Sequence, residues 1–352
     1  MDELLSKVQG CLMGVLLGDA LGMPWEMYSK DDILAATRGE GIVQFDDSPQ
    51  RRFRQMRDLK PGDCTDDWQL TRALALSIID MGEYSRYQSA RALVQEYRRT
   101  TAGWGKTTKS AAKDLDEFFR TNGGSGRDPL FSLPTPEPGK GCGNGVAMRI
   151  APLSIYTVLR RTPPLHEMTY YLYKIVKAEG AITHPDPRAS AAAFAAASII
   201  LNTLFETFSP RKNPEGFDNQ KIILQELLTT LQKIPGGDYR ELIEKLDRIH
   251  NHLEILESPE ALRAHTGTSC FALESVPFAI GTFLRHPSDF RVGVLEAINA
   301  GGDTDTNASM VGAMIGANVG LEGIPEEWIK FRLEYQEALE IGQQLFEVCK
   351  NL

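Results

Sequence analysis

Two runs of small residues at four-residue spacing constrain this chain most. Gly10, Gly14, Gly18 and Gly22 recur near the start, and Ala308, Gly312, Gly316 and Gly320 recur near the end. At helical spacing each set lies on one face. Glycine costs a helix interior about 1 kcal/mol against alanine, so two such stripes point to helices that another backbone approaches closely. Tight core packing is the primary reading of both stripes, ahead of a direct ligand role. The rest of the pattern is helical almost throughout. Segments 66–82, 186–208, 239–256 and 325–349 all place apolar residues at three- and four-residue intervals. Strand-like alternation is nearly absent. The chain is therefore expected to be all-α, with ten or more helices in one domain over 1–352. Gly/Pro-rich breaks at 46–64, 121–144 and 208–218 read as loops. The charged segment 208–265 reads as a helical excursion on the surface.

Composition narrows the partners. A chain of 352 residues with 42% hydrophobic and 24% charged residues can form a sizeable core without staples. A net charge of −9 argues against nucleic acid or an anionic membrane as the main partner, while leaving small anionic ligands open. The five cysteines, Cys11, Cys64, Cys142, Cys270 and Cys349, are scattered and never form a CxxC pair. That pattern fits a reducing, cytoplasmic compartment better than a disulfide framework, and disfavours cysteine-bound zinc. The N-terminus has no basic n-region, so no signal peptide is expected. The longest apolar run, 189–201, is shorter than the roughly 20 residues a membrane span needs.

Acidic residues gather at two remote places. "GDCTDDWQ" puts Asp66 and Asp67 behind Thr65, a plausible N-cap, at the start of an apolar helix. "GGDTDTNASMVGAMIGA" puts Asp303 and Asp305 beside Thr306 at the start of another. Either cluster alone could be an ordinary helix start, because the dipole favours negative charge there. Brought together, the two would set four carboxylates side by side, a costly repulsion that divalent cations would relieve. Carboxylate and hydroxyl oxygens suit a hard ion, Mg²⁺ or Mn²⁺, and four or five acids suit a pair of them. Asp19 and Glu26 in "GDALGMPWEM" are isolated acids among apolar residues, and Glu26 follows Pro24-Trp25, where a helix would end. In "GKGCGNGVAMRIAPL" alternating glycines around Asn144 open onto a helix, a natural phosphate cradle or a simple hinge. Arg149 is expected to face a carboxylate or a helix C-terminus. His184 precedes Pro185 at a helix entry, and an oxygen-only metal site has no use for it.

Taken in order, "GVLLGDALGMPWE", "GDCTDDWQ", "GNGVAMRIAPL", "THPDPRASAA" and "GGDTDTNASMVGAMIGA" resemble the ADP-ribosylhydrolase family, related to dinitrogenase reductase-activating glycohydrolase. The resemblance covers nearly the whole chain. It implies a compact orthogonal helical bundle with a binuclear Mg²⁺ or Mn²⁺ site. By position it implies Thr65, Asp66, Asp67, Asp303, Asp305 and Thr306 as metal ligands. It also implies Glu26 as an acid that approaches the metals and serves catalysis. Gly141, Cys142, Gly143 and Asn144 would cradle pyrophosphate and ribose, with His184 and Phe271 near the distal ligand pocket. Residues 100–115, with Gly103-Trp104-Gly105, and segments 268–285 and 323–338 resemble the branch that removes serine-linked ADP-ribose. Two positions depart from that branch: Cys142 stands where it carries an aromatic, and Phe271 where it carries a tyrosine.

The chemistry expected is cleavage of the bond between the ribose anomeric carbon and a modified side chain, with positive charge developing on the ring. Asp67 and Asp305 are alternative bases and Glu26 a switchable acid. The substrate would be an ADP-ribosylated protein or a related conjugate, taken up by a monomer. Hydrolysis of arginine-linked ADP-ribose is the first alternative. An ADP-ribose-binding protein without turnover and a two-metal phosphohydrolase are the others.

Overall fold

The two small-residue stripes face each other. The computed structural model describes residues 2–50, 52, 56–121, 133–137, 141–160, 165–206, 219–233 and 239–350. Among them run sixteen α-helices, from α1 (Glu3–Gly22) to α16 (Gln336–Lys350), with two isolated bridges and no strand. Helix α14 (Thr304–Val319) lies against α1 over its whole length. A Cβ on Gly10 would stand 2.5 Å from the Gly316 carbonyl oxygen, and one on Gly22 would stand 2.5 Å from Asp305 Cα. Cβ atoms on Gly14 and Gly18 would overlap the backbone of Gly312 and Ala308 outright. The stripes are thus the two halves of one backbone-to-backbone contact. Hydroxyls stitch it: Ser309 Oγ donates to the Val15 carbonyl at 3.0 Å and Thr304 Oγ1 to that of Gly22 at 2.8 Å.

Around this pair the apolar residues of most helices merge into one core. The window Glu3–Trp25 and the window Pro187–Phe205, within α8 (Pro187–Glu206), are long and apolar enough to cross a bilayer. Each is 89% buried inside the fold, which is the behaviour of a helix apolar on all sides in a protein core. α3 (Asp66–Met81) ends where its periodicity stops, at Gly82 in the left-handed conformation.

Two expectations change. The described part of 208–265 does not stay on the surface. Leu224 and Leu228 of α9 (Asn219–Lys233) and Leu242 and Leu246 of α10 (Arg240–Asn251) are buried in the main core, because both helices are amphipathic and turn a leucine stripe inward. The loop expected at 208–218 and Gly139 of the glycine run lie outside the described residues. Segment 325–349 is not one helix: it breaks into α15 (Glu326–Ile329), a turn, a short 3₁₀ turn and α16. The break serves contacts a straight helix could not make. Phe331 stacks on Phe45 at 4.0 Å, and Arg332 turns to pair with Asp63.

Candidate metal centre

The glycine contact positions the acids. Because Gly22 abuts Asp305 Cα, the end of α1 and the start of α14 meet at one point. Past Gly22 a 3₁₀ turn, Met23–Trp25, swings the chain aside and delivers Glu26. The next residues are clamped to the glycines ahead of α14, by Met27 N–H to the Gly302 carbonyl at 2.7 Å and Gly302 N–H to that of Tyr28 at 2.8 Å. Gly302 needs its positive φ of 87° here, and a Cβ would meet the Thr268 carbonyl oxygen at 2.5 Å. Helix α3 brings its N-terminus to the same point.

Carboxylate oxygens of Asp19, Asp67 and Asp305 lie within 4.8 Å of one another, as do those of Glu26, Asp303 and Asp305. Asp305 belongs to both triads. Asp66 belongs to neither but lines the same cavity, as do Glu26, Asp303, Asp305 and Thr306. The two acidic clusters therefore converge as their sequences suggest. Thr306 Oγ1 donates to Asp67 Oδ2 at 3.3 Å, and Asn144 Nδ2 donates to Asp303 Oδ2 at 2.7 Å.

Burial raises all of these carboxyls, and neighbouring acids raise most of them further. Asp19 is pushed up to about 6 by burial, against the pull of its hydrogen bonds from Thr65 and Trp68. Asp66 is pushed up to about 7 by burial and then by Asp19. Glu26, Asp67 and Asp305 lie well above the usual carboxylate range, and Asp303 lies above it. The charge of Lys109, on α5, reaches Asp66, while Arg149 and Arg188 pair with Glu179 and Asp186 outside the cluster. Two buried oxygens, Asp67 Oδ1 and Glu26 Oε2, have no hydrogen-bond partner. Crowded carboxylates with orphaned oxygens and adjacent hydroxyls suit hard divalent cations.

Neither threonine nor aspartate caps its helix as expected. Thr65 holds the N-cap position of α3 but makes no side-chain capping bond, and Asp303 at the N-cap of α14 makes none either. The Thr65 hydroxyl instead donates to Asp19 Oδ1 at 2.6 Å. Asp19, an isolated acid in the sequence, proves to be part of the centre. The signal that could have found it is a charged residue inside an otherwise apolar, wholly buried helix.

The cavity, about 190 Å³, is lined by four of these acids, Glu26, Asp66, Asp303 and Asp305. Gly143, Asn144, Gly145 and His184 form one wall, and Gly105, Lys106, Thr107 and Thr108 face them at the start of α5 (Lys106–Thr121). Cys270 completes the rim. Sequence reasoning did not single out the α5 residues or Cys270. The three α5 residues sit directly after Gly103-Trp104-Gly105, which the fold pins over Asp66. Trp104 Nε1 donates to Gln69 Oε1 of α3 at 2.8 Å, and a Cβ on Gly103 would meet Asp66 Oδ1 at 2.7 Å. Thr65 and Asp67 lie behind the lining, and Gly141, Cys142 and Phe271 stand outside it. Gly141 packs on Thr107 and His184. Phe271 bridges Gly143 through the backbone. The Cys142 thiol, raised to about 11 chiefly by burial, sits near Asp186 and Arg188.

His184 is held in one state. Arg149, itself buried, donates from Nε to Glu179 Oε1 at 3.0 Å and from Nη2 to Thr183 Oγ1 at 3.0 Å. It faces a carboxylate, as expected. With that lone pair used, the Thr183 hydroxyl is free to donate to His184 Nδ1, 2.8 Å away. This assignment leaves the proton on Nε2, which lies beside Gly143 and Gly145 in the cavity wall. Burial and the Arg149 charge lower the imidazole to about 3, so it stays neutral.

A larger cavity of about 590 Å³ lies elsewhere, lined by Leu165, Tyr170, Tyr173, Asn202 and Glu226. It contains none of the converging acids, and chemistry outranks size here.

Comparison with known proteins agrees with this picture. The ADP-ribosylglycohydrolase family profile matches residues 1–352. ADP-ribosylhydrolase ARH3 of Bos taurus is 28% identical, over 99% of this chain and 94% of that protein. The Homo sapiens protein of the same name is 27% identical over the same shares. ADP-ribosylarginine hydrolase Tri1 of Serratia proteamaculans is 26% identical over 98% of this chain and 80% of its own length. A solved ADP-ribosylglycohydrolase-related protein complex has a similar fold, with a TM-score of 0.69 and 24% identity over 99% of this chain and 100% of that one.

Proposed function

The chain belongs to the ADP-ribosylglycohydrolase family, and from that premise we propose that it is a divalent-metal-dependent hydrolase of serine-linked ADP-ribose on proteins. The observation that carries the metal dependence is the convergence of six acids, five buried and Glu26 half-buried, with two orphaned oxygens among them. Support for the serine linkage is the run of ARH3 relatives across nearly the full chain. The Tri1 relatives keep arginine-linked ADP-ribose as the second reading.

Thr65, Asp66, Asp67, Asp303, Asp305 and Thr306, with Glu26, would hold a pair of Mg²⁺ or Mn²⁺ ions. When bound, the ions would neutralise the carboxylates and fix the ribose hydroxyls. The chain's own groups do the rest. Gly143 and Gly145 keep the wall low beside His184, so a diphosphate can approach backbone N–H groups. His184 offers Nε2–H to an oxygen of the ligand. Asn144 orients Asp303. Glu26 lines the cavity, and its orphaned Oε2 suits proton handling. Hydrolysis breaks the bond from the anomeric carbon to the serine oxygen and adds water to that carbon. One proton must leave the water and one must reach the serine oxygen. Glu26 Oε2 is the group assigned to that traffic, with Asp305, which also lines the cavity, as the alternative carboxylate. Asp67, behind the lining, is assigned to holding metal.

The test is a panel of peptides ADP-ribosylated on serine or arginine, incubated with the protein with and without Mg²⁺ or Mn²⁺. Release of free ADP-ribose from the serine peptide, abolished by chelation, is the expected result. Release from the arginine peptide alone would transfer the assignment to the second reading. Binding of ADP-ribose without release from either would make the protein a binding module.

A further inference from the structure

We propose that Asp19 is a positioning residue that prepares Thr65 and α3 to receive a cation. The inference rests on the metal reading above and deepens it. Helices ordinarily cap their own first turn: the N-cap side chain accepts from the N–H two or three residues on. Thr65 is the right residue in the right place, with extended φ −110° and ψ −151°, yet it does not cap. The N–H it should receive, that of Trp68, donates to Asp19 Oδ2 at 3.0 Å. Thr65 N–H also donates to Asp19, at 2.9 Å to Oδ1 and 2.8 Å to Oδ2. Asp19 thus caps α3 from the neighbouring helix α1, where it is wholly buried.

Two consequences follow for the cluster. The Thr65 hydroxyl proton is committed to Asp19 Oδ1 at 2.6 Å, so what the oxygen has left is its lone pairs. A hydroxyl that capped its own helix would have spent one of them on Trp68 N–H. Because the cap on Trp68 N–H comes from α1, the first turn of α3 does not draw on Asp67 for it. Asp67 Oδ1, in a side chain 1% exposed, is left without any partner. The hydrogen bonds to Asp19 come from the Thr65 N–H and O–H and the Trp68 N–H, so an amide NH₂ in its place would face a donor. Outer residues that orient metal ligands in this way commonly govern affinity by about 10- to 100-fold.

Metal-stripped full-length protein is titrated with Mn²⁺, with affinity read by calorimetry, while thermal unfolding in chelator is followed separately. Asp19→Asn should bind Mn²⁺ about 10- to 100-fold more weakly. Thr65→Val, which leaves both backbone donors to Asp19, should weaken binding similarly, and Thr65→Ser should restore it. The double variant Asp19→Asn, Thr65→Val should be less damaged than the two single losses multiplied together. Asp19→Asn that unfolds at lower temperature but binds Mn²⁺ like the wild type overturns the proposal, leaving Asp19 a structural cap only. If Asp19→Asn does not fold, undiminished binding by Thr65→Val overturns it instead. Wild-type protein that binds no Mn²⁺ overturns the metal reading itself, and this inference with it.

Discussion

Replacing Gly14 by alanine tests the contact on which the fold and the centre both depend. The added methyl would overlap the carbonyl group of Gly312 on the opposite helix. Both sides of the clash are backbone, so no side chain can swing away. Either the helices separate or one of them bends. Overpacking a core ordinarily costs about 1–3 kcal/mol, and alanine returns about 1 kcal/mol of helix propensity. Separating α1 from α14 would also loosen buried side chains along both helices, including Leu12, Leu16, Val311 and Ile315, each worth about 1.5–3 kcal/mol when fully buried. A net loss of at least about 3 kcal/mol is expected, a large share of the roughly 5–15 kcal/mol that stabilises a typical domain. Gly39 provides the control. It has φ of 90° with no atom within 4 Å of a Cβ, so alanine there meets only backbone strain, about 1–2 kcal/mol. Urea unfolding followed by circular dichroism measures both variants against the wild type. If Gly14→Ala lies within 1 kcal/mol of the wild type at unchanged m-value, the two backbones are not in contact and the packing argument fails.

Other outcomes follow from the same geometry. Metal-free protein should lose stability as pH rises. The raised carboxyls bind more protons folded than unfolded, so their contribution is full below the ordinary aspartate value of 3.8 and is lost as pH climbs through about 6 for Asp19 and about 7 for Asp66. Melting in chelator should fall between pH 5 and pH 8, with Mn²⁺ restoring it at pH 8, and a rise without metal would contradict the assignment. Glu26→Gln should slow hydrolysis by about 10²- to 10⁴-fold while calorimetry still records Mn²⁺ binding; undiminished turnover would remove Glu26 from the proton path. His184→Ala should raise the ADP-ribose Kd by about tenfold, the worth of one hydrogen bond of about 1.4 kcal/mol. Because the imidazole stays neutral down to about 3, the wild-type contact should not vary between pH 5 and pH 8.

The helices were the most legible part. A period near 3.6 spans α3 and α8 almost to the residue, because both are continuous, and α3 ends at a clear signal, Gly82. The C-terminal segment misled for the opposite reason. Its apolar residues keep helical spacing, yet Phe331 and Arg332 are spent on Phe45 and Asp63, partners no local pattern reveals. Leu333 is 93% exposed where a continuous helix would have buried it. The same blindness hid α9 and α10 in the core, because a charged outer face dominates composition while a narrow leucine stripe does the packing.

The centre was legible as residues and not as an arrangement. Thr65-Asp66-Asp67 and Asp303-Thr304-Asp305-Thr306 each look like an ordinary helix start, and only their meeting gives them chemistry. What brings them together is a feature of another kind, the two small-residue stripes. Since Gly22 is the last member of its stripe and abuts Asp305 Cα, the spacing that sets the helices in contact also sets the register between Glu26 and Asp305. Asp19 extends that register to α3, through its bonds to Thr65 and Trp68. The helix that carries four glycines for packing therefore also carries Asp19, and the turn that leaves its end delivers Glu26. A shift of α1 by one turn along α14 would move Glu26 and Asp19 together by about 5.4 Å, beyond reach of the other carboxylates. Packing and ligand geometry are one constraint in this chain, which is why glycine, poor for a helix, stands on at least one side wherever α1 and α14 touch most closely.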